Sequence, residues 1–193
     1  MSKIYGGIAE YDCIGESNTR PYIIWKALLQ RCFDSNYKEK HPQYKDVTIA
    51  KEWLLFSNFK SWYISQYDYE NREIDKHLIV FGNKHYSKEL CILIPREINN
   101  FLRTSKGSRG KYPLGVSLDG TRFKASIRIK AKLYTLGRFN NPEDAHIAWQ
   151  KAKIKQLREY SEQYLLEPTL LYQYILNVAN RIESDLQAGR ITD

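Results

Sequence analysis

From Arg122 to Lys130 the chain alternates polar, mostly cationic residues with apolar ones. Arg122, Lys124, Ser126, Arg128 and Lys130 share one parity, and Phe123, Ala125, Ile127 and Ile129 share the other. Successive side chains of an extended strand point to opposite faces, so this spelling predicts a strand with one apolar side. Its other side is a solvent-facing row of cations about 6–7 Å apart, comparable to phosphate spacing along a nucleic-acid strand. A guanidinium can meet a guanine edge through two hydrogen bonds, whereas an ammonium acts as a point charge. Arg122 and Arg128 therefore suit base edges, and Lys124 and Lys130 suit phosphate. A face that merely solvates a sheet normally mixes acids with bases, and this row contains no acid.

The charge balance points the same way. The 193 residues hold 30 Lys and Arg against 22 Asp and Glu, a formal +8. Residues 103–160 carry a net +10, while 1–102 carry +1 and 161–193 carry −3. A positive field concentrated in one segment gains free energy by releasing the counterions condensed on a polyanion. With 42% apolar and 27% charged residues the chain can build a core. Its longest apolar runs, Leu78 to Phe81 and Leu90 to Ile94, fall far short of the roughly 18 residues a membrane span needs. The first seven residues have no secretory core, and export is not expected. Cys13, Cys32 and Cys91 are odd in number and lack metal-knuckle spacing, which predicts reduced structural thiols.

The elements that must hold the cationic row can be read on either side of it. Strands are expected at Lys111–Leu118, Thr121–Ile129 and Lys132–Phe139, with Asp119-Gly120 as a tight hairpin signal and Lys130-Ala131 at a less typical turn. Asn141-Pro142-Glu143-Asp144 spells a helix start: an amide cap, proline in the first turn and acids near the positive helix end. Ala145, Ala148, Trp149, Ala152 and Leu157 give that helix a face that can lie close on a sheet. Ser117, Leu133 and Thr135 should flank the cations. Further upstream, Pro21 opens a helix with Trp25, Leu28, Leu29 and Cys32 on one face, and an aromatic stripe predicts a second helix over about 50–66. Ile74, Leu78 to Phe81 and Leu90 to Ile94 read as short strands around a turn at Gly82-Asn83.

Four motifs in order carry a resemblance across about 112–155. They are Tyr112-x-x-Gly115-Val116, Phe123-Lys124-Ala125-Ser126-Ile127-Arg128, Leu136-Gly137-x-Phe139, and Pro142-Glu143-Asp144-Ala145-His146-x-Ala148-Trp149. Together they resemble an Apetala-two/ethylene-response-factor DNA-binding domain of the phage type. The resemblance implies a three-stranded sheet backed by one helix, with the sheet reading the major groove of double-stranded DNA. It places Ser117, Arg122, Lys124, Ser126, Arg128, Leu133 and Thr135 on the DNA face. The plant domains usually have Arg where Ser117 stands and often Trp near Thr135, so their base preference does not transfer.

The run Trp53-Leu54-x-Phe56-x-Asn58-Phe59-x-x-Trp62, then Asp75-Lys76 and Gly82-Asn83-Lys84-x-Tyr86-Ser87-x-Glu89-x-Cys91, is similar to phage HNH-type homing endonucleases over about 22–102. Such a nuclease needs a histidine base and a divalent metal on the scissile phosphate. The resemblance offers Asp75 as metal ligand and His77 or His85 as base. However, Lys76 stands where an active strand usually has its histidine, and Leu90 where a later asparagine is expected. The cysteine pair common near Tyr44 to Trp53 in such proteins is absent. These departures favour a nuclease fold that has lost its chemistry, and His41 and His146 have no partner pattern.

The expectation is therefore an α+β protein in four parts: a helix-rich HNH-like unit (1–102), a basic Gly/Ser linker (103–111), a sheet-plus-helix DNA-binding domain (112–160) and a C-terminal helix (161–193). In that helix Leu171, Ile175, Val178 and Ile182 form a stripe that either packs on its own domain or makes a homodimer seam. The function expected is sequence-specific binding of double-stranded DNA in the cytoplasm of a bacterial host, as a repressor or site-occupying regulator, with no cofactor needed. The alternative is a working endonuclease that uses Mg2+. RNA binding is a third reading, disfavoured because the stacking motifs of single-strand readers are missing.

Overall fold

A computed structural model describes residues 2–103 and 110–192. The chain divides into two compact units, Met1–Pro95 and Arg96–Asp193. Most of the expected linker, Thr104 to Arg109, lies outside the described residues. The helix before it belongs with the second unit rather than the first.

The first unit opens with a hairpin of β1 (Ser2–Ile4) and β2 (Ala9–Tyr11). Then come α1 (Arg20–Phe33), the short α2 (Ser35–Lys40), β3 (Thr48–Ile49), α3 (Phe56–Ser65), β4 (Arg72–Asp75), β5 (His85–Tyr86) and β6 (Ile92–Pro95). β3 pairs in parallel with β5, and β4 pairs antiparallel with β6. Helix α1 buries Pro21, Trp25, Leu28, Leu29 and Cys32, as its spacing predicts. The Trp25 indole N–H donates to the Trp53 carbonyl at 2.6 Å, which satisfies a polar group inside an aromatic core with Phe56, Phe59 and Tyr63.

Two expectations for this unit are corrected. The helix predicted over 50–66 is broken at Leu55, which is extended (φ −94°, ψ 123°) and bridges to Glu10. A 3-10 turn over Lys51–Leu54 precedes the break, and α3 follows it with the Asp12 carboxylate accepting the Ser57 N–H at 2.9 Å. Leu78 to Phe81 form no strand. Asp75 Oδ1 accepts the N–H groups of His77 and Leu78, both at 2.7 Å, and this turn ends β4. Leu78 alone of the four is buried, and Val80 and Phe81 are exposed.

The second unit is α+β: it opens with α4 (Arg96–Leu102), which the sequence reading does not place, and continues in the expected order with β7 (Val116–Asp119), β8 (Arg122–Ile129), β9 (Lys132–Phe139), α5 (Pro142–Gln163) and α6 (Leu171–Gln187). The sheet is antiparallel with β8 central. The Asn141 side chain accepts the Asp144 N–H at 2.7 Å and caps α5. Helix α5 backs the sheet with Ala145, Trp149 and Leu157 buried. Strand β7 is shorter than the predicted 111–118, because Val116 N–H donates back to Pro113 and closes a turn through Gly115 (φ +76°). The first hairpin loop is Gly120-Thr121, one residue later than the Asp-Gly signal, since Asp119 pairs with Arg122. Helix α6 packs on α5 and buries Leu171, Ile175, Ala179 and Ile182. Of the stripe that could make a dimer seam, Leu171, Ile175 and Ile182 are thus buried within their own unit, while Val178 is half-buried.

Candidate nucleic-acid interface

Strand β8 presents the two faces its alternation predicts. Ala125 and Ile127 are buried beneath α5, while Arg122 and Arg128 are exposed and Lys124 and Ser126 are half-buried on the opposite face. Residues directly opposite in an antiparallel pair share a face. Ser117 pairs with Lys124, Thr135 with Ser126 and Leu133 with Arg128, so all three flank the row as expected. Leu133 is 54% exposed, which leaves an apolar group free among the polar ones. Among the described residues no carboxylate lies within 4.0 Å of the Arg122, Lys124 or Arg128 charged groups.

Two further members of this face are Arg138, which parity does not place there, and Asp119, read from the sequence as part of the turn. A bulge between Ala125 and Ser126 skips Leu136, so Arg138 pairs with Lys124 and changes sides relative to Leu133 and Thr135. Its Nε donates to Asp119 Oδ2 at 2.8 Å, across the central strand. Asp119 faces the same way because it pairs with Arg122. The cationic face therefore carries one acid and one further arginine, bound to each other.

Lys130 departs from the row. It sits in the two-residue loop with Ala131, both at positive φ (49° and 64°), a backbone shape normally given to Gly or Asn. Its ammonium lies 3.9 Å from Glu97 Oε1 of α4. His146, left without a role by the sequence, is buried: its Nε2 accepts the Thr192 N–H, so Nδ1 carries the proton and donates to the Leu114 carbonyl at 2.9 Å.

The nuclease-like residues of the first unit do not converge on a catalytic site. Asp75 Oδ1 already accepts two backbone N–H groups. His77 Nε2 is held by the buried Lys76 ammonium, and burial together with that charge lowers the His77 pKa. His85 instead meets the Thr48 hydroxyl at 2.8 Å through Nδ1. Among the described residues no three His, Cys, Asp or Glu side chains group around a point that could hold a metal ion. Burial also pushes the Cys32 and Cys91 thiols up, to about 11 and about 12, far from nucleophilic thiolates.

Comparison with family models, with curated proteins and with solved structures finds no match to this chain. Among the described residues no helix is long and apolar enough to cross a membrane.

Proposed function

We propose that this chain binds double-stranded DNA through the exposed face of β7, β8 and β9, and that it acts by occupying its site, as a repressor or similar regulator. One observation carries the reading: Arg122, Lys124, Ser126 and Arg128 stand in a row on a helix-backed sheet, with no carboxylate of the described residues paired to those three cations. A three-stranded sheet can lie in the major groove, where arginine discriminates guanine edges and lysine neutralises phosphate. The resemblance to the Apetala-two type of domain supports the same face. Under this reading the HNH-like unit is a scaffold, and binding needs no metal.

The test is unbiased selection of duplexes bound by the full chain, run with and without Mg2+ or Mn2+ and scored for cutting. A recovered sequence motif with uncut DNA supports the proposal. Nicked or linear product that disappears in Asp75→Ala or His77→Ala would instead establish the endonuclease reading, and equal competition by duplex RNA would remove DNA specificity.

A further inference from the structure

The second unit contains a groove of about 900 Å3 beside the sheet, and the row on β8 runs into it. Strand β7 begins at Val116, and the last bond on that side is Ser126 N–H to the Gly115 carbonyl at 2.8 Å. Beyond that point β8 stays paired with β9, but among the described residues no strand covers its β7-side edge, and α4 lines the other wall of the groove. Arg96 and Asn100 lie four residues apart on one side of α4, Arg103 follows the helix end, and all three are exposed and line the groove. Arg128 and Lys130 line it from the sheet side. Glu97 is its single acid, and Lys130 lies within ion-pair distance of that carboxylate.

We infer that this groove extends the DNA interface past the edge of the sheet: the sugar-phosphate backbone of the bound duplex runs along it, with Arg96 at the start of α4 and Arg103 just after its end contacting phosphate oxygens. The inference rests on the proposed sheet-to-duplex reading and adds a second, sequence-independent contact to it. Two features select a phosphate strand as the occupant. The walls bring five basic side chains, Arg96, Arg103, Arg128, Lys130 and Lys153, together with one acid, which is complementary to a polyanion and not to an acid–base-balanced protein surface. Arg128 also belongs to both the exposed row and the groove, so a duplex lying on the sheet meets the groove without a gap.

The test measures binding of the full chain to the selected duplex and to an unrelated duplex by fluorescence anisotropy across a salt series. Arg96→Gln with Arg103→Gln should weaken both duplexes alike, by about tenfold, and reduce the slope of log K against log salt by about two. The selected motif should not change. Arg96→Lys with Arg103→Lys keeps the charges and should retain most of the slope. If the lysine pair loses as much as the glutamine pair, the effect is one of folding and the inference fails. Unchanged affinity and slope in the glutamine pair, with Arg128→Ala still weakened, would overturn the groove contact and leave the sheet reading intact. A wild-type chain that binds no duplex would overturn both.

Discussion

A β-carbon added to Gly115 would fall 1.9 Å from Cδ1 of Trp149, so the turn before β7 is packed backbone against indole. Gly115 also has φ +76°, a conformation other residues adopt only at a cost. Two constraints thus meet at one position: the turn that starts β7, and the approach of α5 to the sheet. Gly115→Ala is expected to destabilise the second unit by on the order of 3 kcal/mol, since both overpacking and positive φ act against it. Chemical denaturation should show the loss, and Gly120→Ala, whose added carbon meets nothing within 4 Å, should show less.

The recognition row makes a sharper demand. Arg128→Ala should cost about 1–3 kcal/mol of binding and relax base preference at one position of the site. Lys124→Ala should weaken every duplex alike and flatten the salt dependence. Anisotropy titrations on selected and scrambled duplexes separate the two outcomes, and equal affinity of both variants and wild type would count against the sheet-in-groove model.

Asp119 is the acid on that face, bound to Arg138 at 2.8 Å. Asp119→Asn removes a negative charge from the path of the phosphates and frees an arginine, so affinity for duplex DNA should rise several-fold, most at low salt. Folding stability should change by about 1 kcal/mol or less, as expected for an exposed pair. A melt and a titration of the same preparation check both statements.

Lys153 supplies a pH dependence. Its ammonium reaches the Phe101 carbonyl and lies 3.5 Å from that ring's centroid, and burial pulls its pKa down to about 7 from the ordinary lysine range. The unfolded chain holds this proton up to about pH 10, whereas the folded chain releases it near 7. Between those values the unfolded state binds more protons, so this group's contribution to stability rises with pH from about 7 to about 10. Lys153→Met is therefore expected to raise the thermal midpoint relative to wild type most at pH 6.5 and least at pH 10. A gain that does not vary with pH would assign the effect to packing alone.

In the first unit the expected outcome concerns architecture. Asp75 closes the turn after β4 through two 2.7 Å bonds, so Asp75→Ala should lower stability by about 1–3 kcal/mol, as for a buried or half-buried acceptor whose donors lose their partner. His85→Ala removes one contact to Thr48 and should cost less. Duplex DNA incubated with wild type or with either variant in Mg2+ should stay uncut, which gel electrophoresis checks.

Several elements of both units were readable from local spelling: alternation set the faces of β8, Asn141 and Pro142 marked the start of α5, and Pro21 with its apolar spacing marked α1 in the first unit. These features depend on neighbours in the chain, where covalent geometry dictates which side chains share a side. What needed the tertiary structure was everything set by residues far apart in sequence. Strand alternation cannot foresee a bulge, so Arg138 changed faces and met Asp119 only once β8 and β9 were paired. An apolar run such as Leu78 to Phe81 reads as a strand until the Asp75 turn takes its backbone groups. Whether the stripe of α6 would pack on α5 or on another copy depended on which surface lay nearest. Arg96 and Arg103 had no pattern of their own, and the groove they line exists because the turn through Pro113 and Gly115 starts β7 late and leaves one edge of β8 uncovered.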